Sequence, residues 1–360
     1  MVDHSSPPRA PLSTLSLLIR LACIGAVVAV AAGAFAYVNG TLDPQRLRPK
    51  TLVNALETNN GVHPGFRRNH AKGVCVAGYF ESSPEARTYS NAQVFSEAKT
   101  PVIGRFALPS GNPYAPDSSV PIRSFALQFS QANGQQWRTG MNSMPVFPVG
   151  TPEAFYQMLK AGAPDPATGK PNPASMPAFF AAHPETAPFL AWVKTAKPSA
   201  SYATETYNGI NAFYLVNADG QRQAVRWGVV PQSQDAAGDT APSGADFLEK
   251  DLVQRLASGP LRWQLNITLA NPGDPLDDAS KAWTGAHKVL NAGTLVLQSS
   301  QPQADGDCRD INYDPLILPS GIQASNDPLL AARSAAYASS YVRRAGEVSP
   351  LHSAPQESKP

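Results

Sequence analysis

Arg333, Tyr337, Tyr341 and Arg344 are spaced four, four and three residues apart. On a helix that spacing stacks them along one face. A helix is predicted over residues 329–344, because Asn326-Asp327-Pro328 offers Asp327 as N-cap and a proline at the first helical position. Most of the remaining positions are Ala or Ser, which lets a neighbouring surface come close. The stripe has two readings. Spacing alone favours an amphipathic surface helix carrying arginine and tyrosine. The sharper reading is a phenolate metal ligand. Free tyrosine ionises only near pH ~10, so ligation needs help. An arginine one turn earlier, at ~4 Å and an effective dielectric of ~20, contributes about 4 kcal/mol, or roughly three pKa units. A ferric ion would lower the phenol further. Arg333 and Tyr337 are therefore a chemically sensible pair.

The elements that must hold such a pair are mostly strands. Residues 74–80, 102–107, 124–129, 212–216, 223–230, 262–269 and 293–298 read as strands. Asn217-Ala218-Asp219-Gly220 reads as a hairpin turn between two of them. Residues 151–198 differ: Thr151-Pro152-Glu153 opens like a capped helix, and two or three short helices with Pro/Gly breaks follow. Many strands with helices in the insertions indicate an α+β chain built on an antiparallel barrel. Residues 39–65 read as linker and entry arm, and 235–242 as a flexible loop. The stretch after Arg344, above all 348–360, reads as a disordered tail.

Composition narrows the classes. The 360 residues allow one large or two ordinary domains, and 35 prolines point to short elements rather than a helical bundle. A net charge of +2 gives no reason to propose nucleic acid as a partner. Neither Cys75 nor Cys308 belongs to a CxxC or CxxCH, so no zinc site, thioredoxin motif or thioether-linked haem is indicated. Whether the two form a disulfide or stay as buried thiols is left open. Residues 21–38 carry no charge and follow Arg9 and Arg20. As a helix they would reach about 27 Å, close to the roughly 30 Å hydrocarbon core. Ala34-Phe35-Ala36 is similar to a signal-peptidase site. Cleaved signal and uncleaved anchor both stay open for residues 1–40, and either leaves 41–347 outside the cytoplasm, periplasmic or otherwise extracytoplasmic.

Four motifs in order over residues 64–344 give the chain a resemblance to the catalase family, in its small catalase-related peroxidase branch. Arg67-Arg68-Asn69-His70-Ala71-Lys72-Gly73 resembles R-x-x-H-A-K-G. Pro101-Val102-Ile103-Gly104-Arg105-Phe106, then Arg123-Ser124-Phe125-Ala126, resemble P-x-x-x-R-F and R-G-x-A. Asn142-Ser143-Met144-Pro145-Val146-Phe147 resembles N-x-x-P-x-F, with Phe155 further on. Arg333-x-x-x-Tyr337, followed by Arg344, is the last. The resemblance implies a catalase-like barrel with helical insertions and a C-terminal proximal helix, holding haem b. It implies Tyr337 as iron ligand with Arg333 as charge partner. His70 is implied as the distal acid–base and Asn142 as the distal amide. Arg67, Arg105 and Arg344 are implied to pair with the haem propionates, and Phe147 and Phe155 to line the distal pocket. Heterolysis of a peroxide bond needs a base and then an acid, and one histidine with an ordinary pKa near ~6.5 can be both.

Departures from the motifs shape the expected activity. A serine that hydrogen-bonds the distal histidine is Ala107 here; an aspartate two residues after the tyrosine is Ser339; the apolar residue before the histidine is Asn69. The chain also ends soon after the proximal helix. A less tightly held histidine and a wider channel imply oxidation of small organic donors by hydrogen peroxide over disproportionation. Two other readings compete: a lipid-hydroperoxide isomerase of the allene-oxide-synthase kind, and a non-catalytic haem-binding or sensing module, which would need neither His70 nor Asn142.

Overall fold

The computed structural model describes residues 13–38, 47–197, 199–232 and 244–347. The chain falls into two units, Met1–Arg48 and Pro49–Pro360. In the first, α1 (Thr14–Val38) is a 25-residue helix with no buried residue, long and apolar enough to cross a membrane. It starts seven residues before the stretch expected from charge alone.

The second unit is a barrel with helices around it. Its elements are α2 (Pro49–Asn60), β1 (Gly73–Ser82), β2 (Thr100–Ala107), β3 (Ser124–Ser130), β4 (Gln136–Asn142), α3 (Pro152–Ala161), α4 (Ser175–Ala182), α5 (Ala187–Thr195), β5 (Tyr207–Asn208), β6 (Phe213–Val216), β7 (Arg222–Pro231), α6 (Phe247–Ser258), β8 (Leu261–Leu269), β9 (Val289–Pro302), β10 (Ile322–Ala324) and α7 (Pro328–Glu347). The strands run β7-β5-β4-β3-β2-β1-β9-β8, and β8 pairs back onto β7. That closes an eight-stranded antiparallel ring and removes its free edges. β6 and β10 extend outward from β7.

All seven expected strands are present, and the Asn217–Gly220 turn has Gly220 at φ 78° with Asn217 Oδ1 accepting from the Asp219 and Gln221 N–H groups. β4 and α6 were not expected. In β4 only Trp137, Thr139 and Met141 face inward, too weak an alternation to stand out among Gln136, Arg138 and Asn142. Of the linker expected over 39–65, residues 39–46 lie outside the described residues, and Pro49–Asn60 is helix rather than linker. Leu52 and Val53 are buried, and an otherwise polar surface masks them in the sequence. The loop at 235–242 and the tail at 348–360 also lie outside the described residues. Residues 345–347 are not tail: they form the last turn of α7.

Because side chains alternate along a strand, each barrel strand turns one set of residues inward. Those sets are aromatic. Phe106 stacks on Phe125 at 4.1 Å and on Tyr202 at 4.9 Å; Phe129 stacks on Trp137 at 4.6 Å, and Trp137 meets Trp227 edge-on at 5.0 Å. The barrel is thus a filled core, and any site must lie on its outside. Cys75 on β1 and Cys308 are joined by a disulfide with a Cα–Cα distance of 5.3 Å, which settles the open question about the two thiols.

One buried cation staples the outer helices together. Arg68 is 4% exposed. Its Nε donates to Glu57 of α2 at 2.6 Å and its Nη1 to Glu347 of α7 at 2.9 Å, while Arg343 of α7 also reaches Glu57 at 2.7 Å. Burial pulls the Glu347 carboxyl up, but the hydrogen bonds from Arg68 and the Gly65 N–H outweigh it and leave the group below its ordinary range. A depressed carboxylate contributes stability that is full above its ordinary value of 4.5 and lost as pH falls through the folded value. Arg68→Ala is therefore expected to cost about 3 kcal/mol at pH 7, the scale for stranding buried partners of a lost charge. Urea unfolding of both proteins at pH 7 and pH 3 checks it: the difference should narrow at pH 3, and an equal difference at both would rule out the carboxylates.

Candidate functional site

Outside the barrel, the outward residues of three strands make a floor of small side chains. Arg105, Ala126 and Gly140 are in register across β2, β3 and β4, and Ala107, Ser124 and Asn142 form the next row. α7 lies near this floor: Arg333 Nη2 donates to the Gly140 carbonyl at 3.4 Å, an approach that the absent side chain of Gly140 permits. Between them is a cavity, also lined by His70, Phe147, Phe155, Tyr337 and Arg344. All nine residues singled out from the sequence line this one cavity.

His70 sits between the entry segment and β1 with φ 56°, the one described non-glycine residue in the left-handed region. That conformation costs on the order of 1–2 kcal/mol and persists where the surroundings impose it. Its N–H donates to Asn69 Oδ1 at 3.0 Å, so the polar residue that departs from the family pattern supports the turn. Burial, then the charges of Arg105, Arg333 and Arg67, push the imidazole down to about 3. His70 is neutral at ordinary pH. Among the described residues no hydrogen bond reaches its ring, as the alanine at 107 leads one to expect.

Asn142, the last residue of β4, accepts a hydrogen bond from the Ser124 hydroxyl at 2.7 Å through Oδ1. This orients the amide so that its NH₂ is left to donate elsewhere. Phe147 and Phe155, the latter on α3, pack at 5.4 Å between centroids.

On α7, Arg333 and Tyr337 are neighbours, with the guanidinium carbon 5.8 Å from the ring centroid. Asn211 holds the arginine: its Oδ1 accepts from Arg333 Nη1, and its Nδ2 donates at 2.8 Å to Asp327, whose other oxygen caps the helix at the Leu329 N–H. Nothing in the sequence signals this role for Asn211, because it depends on a contact across more than a hundred residues.

Three arginines gather at one end of the cavity, and none has a carboxylate partner among the described residues. Arg67 donates to the carbonyls of Cys308 at 3.1 Å and Ile311 at 2.8 Å. Arg105 donates to the Ala71 carbonyl at 3.2 Å and to Gln303 Oε1. Arg344 donates to the Arg309 carbonyl. Burial, then Arg105 and Arg344, pushes Arg67 down. Burial likewise lowers Arg105 to about 10, and it lowers Arg344. The buried Arg105 Nε has no partner at all. Concentrated, desolvated positive charge held only by neutral oxygens calls for an anionic ligand. Gln303 and Tyr313, both at this end, carry no motif and were not foreseen.

A filled antiparallel barrel, with a tyrosine-bearing helix near its outer face and a neutral histidine in an anion-demanding cavity, defines a protein of the catalase fold. The catalase family model matches residues 40–350, and the chain belongs to that family. It is 40% identical to a catalase-related peroxidase of Synechococcus elongatus, over 91% of this chain and 96% of that one. It is 30% identical to a catalase-related peroxidase of Mycolicibacterium paratuberculosis, over 83% and 96%. Among solved structures a fungal catalase aligns with a TM-score of 0.69 at 18% identity, over 97% of this chain and 65% of that one, which bears on the fold alone. The family implies haem, and the residues fit it. Haem carries two carboxylates and a flat apolar ring; the cavity offers unpaired arginines at one end and a floor of Gly140, Ala126 and Ala107.

Gly73, the last residue of the histidine motif, has a steric reason to be glycine. A Cβ there would stand 2.3 Å from the Phe106 carbonyl and 2.6 Å from the Arg105 guanidinium carbon. Gly73→Ala is expected to cost about 1–3 kcal/mol, as overpacking does, and to displace Arg105. Urea midpoints together with the haem-to-protein absorbance ratio check it, with both falling in Gly73→Ala.

Proposed function

We propose that this chain is a haem b peroxidase that uses hydrogen peroxide to oxidise small organic donors, with weak disproportionation of peroxide beside it. The observation that carries the reading is the convergence, in one cavity, of a neutral half-buried histidine, a tyrosine with its arginine, and three arginines that pair with no carboxylate among the described residues. The relatives named catalase-related peroxidase support it.

Each residue then has a task. Tyr337 holds the iron, and Arg333, fixed by Asn211, favours the phenolate. Arg67, Arg105 and Arg344 bind the propionates. Phe147 and Phe155 make the peroxide side apolar and dry. His70, neutral, would take the proton from one peroxide oxygen and return it to the other, which leaves as water. The Asn142 NH₂, aimed by Ser124, hydrogen-bonds peroxide while this happens. When bound, haem supplies the two-electron reduction of peroxide and passes the oxidising equivalents to the donor. The His70 ring, with no hydrogen-bond partner among the described residues, is less tightly oriented, which favours donors over a second peroxide.

We assign residues 1–40 to a signal or anchor and 41–347 to the peroxidase domain. The apolar α1 and the disulfide both support an extracytoplasmic, periplasmic location, because disulfides persist in oxidising compartments.

The test is to purify the protein with haem and assay oxidation of a chromogenic donor beside peroxide disproportionation. His70→Ala should keep haem and slow the reaction with peroxide by about 10²–10⁴-fold in stopped flow; a wild-type rate at full haem content would overturn the assignment. Tyr337→Phe should lose or greatly weaken haem binding. The pH profile adds a check. The proton-accepting form of His70 is the neutral one, and burial, the largest cause acting on the ring, keeps it so below the ordinary imidazole range. The wild-type rate with peroxide should stay flat from pH 8 to pH 5, and a fall centred near pH ~6.5 would mean that the imidazole titrates normally.

A further inference from the structure

Tyr313 is buried, 6% exposed, and its ring packs with Cys75, Cys308, Ile103 and Ile311. A phenylalanine would fill that space as well. The hydroxyl needs a different reason. Its oxygen is fully buried and has no hydrogen-bond partner, although the residue lines the cavity. Buried polar atoms are rarely left so. Tyr207, equally buried in the barrel, shows the usual outcome, donating to the Tyr202 carbonyl at 2.9 Å.

The surroundings of the Tyr313 hydroxyl say what is missing. Arg67, Arg105 and Arg138 lie within electrostatic reach of it. No guanidinium N–H donates to the Tyr313 oxygen, and because guanidinium groups only donate, none can accept its proton. Burial pushes the phenol up, so it keeps that proton. Arg105 next to it has an unpartnered Nε of its own. A hydroxyl donor and an arginine donor, both left open on cavity-lining residues that interact electrostatically, ask for an acceptor with two oxygens. Backbone carbonyls already serve Arg67 and Arg138: Cys308 and Ile311 for the first, Asn312 for the second.

We propose that the Tyr313 hydroxyl is a further ligand-binding group, donating a hydrogen bond to a carboxylate of the bound macrocycle beside Arg67 and Arg105. The inference rests on the haem reading and goes beyond it, since the resemblance assigns that task to arginines alone. Tyr313 is a binding residue here, with no part in moving protons to peroxide.

The test is Tyr313→Phe in the haem-loaded full chain, compared with wild type. Haem transfer to excess apomyoglobin should become faster by roughly tenfold or more, the loss expected for a hydrogen bond to a charged partner. The propionate bending bands of the resonance Raman spectrum should shift. The thermal midpoint of the haem-free fraction should hold or rise, because a stranded hydroxyl has been removed. Wild type carrying a fluorinated tyrosine at position 313 keeps the shape and sharpens the donor, so the same bands should move the other way; this arm stands even where the phenylalanine variant folds poorly. Unchanged haem transfer and unchanged bands with haem in place would overturn the role of Tyr313 and leave the haem reading intact. Wild-type protein that takes up no haem at all would overturn both.

Discussion

Uncompensated positive charge is the constraint on which this structure turns. Arg67, Arg105 and Arg344 occupy one end of a cavity, desolvated and mutually repelling, with carbonyl and amide oxygens in place of carboxylates. A protein tolerates such an arrangement where a ligand completes it. Burial, then the charges of Arg105, Arg333 and Arg67, keep His70 neutral. Arg67 and Arg105 therefore belong both to the anion site and to the surroundings that hold the proposed acid–base group neutral.

The rest of the unit reads as support for that arrangement. The carbonyls that receive Arg67 and Arg344 belong to the loop around Cys308, and the disulfide to Cys75 ties that loop to β1. Arg105 is reached from the other side: the Ala71 carbonyl, one residue after His70, accepts from both Arg105 and Gln303. The histidine turn and the arginine end are thus mechanically one piece. Arg68, the neighbour of Arg67 in sequence, points the other way and joins α2 to α7. Two adjacent arginines with opposite duties follow from one being given carboxylates and the other being denied them.

The serine chemistry of the site has a different address from that of the family pattern. Position 107 is alanine, and the hydroxyl stands instead on the neighbouring strand at Ser124, in register with both Ala107 and Asn142. It aims the asparagine and leaves the histidine ring without a partner. Of the two proposed distal groups, Asn142 is held by a hydrogen bond and the His70 ring has none among the described residues.

The sequence alone determined which residues to seek together and most of the frame. Strand alternation, the Asp327 cap and the helical spacing of Arg333, Tyr337 and Arg344 are local properties, encoded within one element and legible there. So were the ordered motifs that led to the family and to nine residues of one cavity. What only the tertiary structure decided depends on contacts between distant segments. The pairing of Cys75 with Cys308 spans 233 residues. Asn211 reaches Asp327 and Arg333, Ser124 reaches Asn142, and Glu57 and Glu347 meet at Arg68. α2 and β4 were missed because their apolar faces are two or three residues wide, and such a face is recognised only by what it packs against. That no carboxylate pairs with these three arginines among the described residues is likewise invisible in a chain of 27 acidic residues. Charge balance at a site is set by where folding sends each side chain, because Coulomb interactions depend on distance in space and not along the chain.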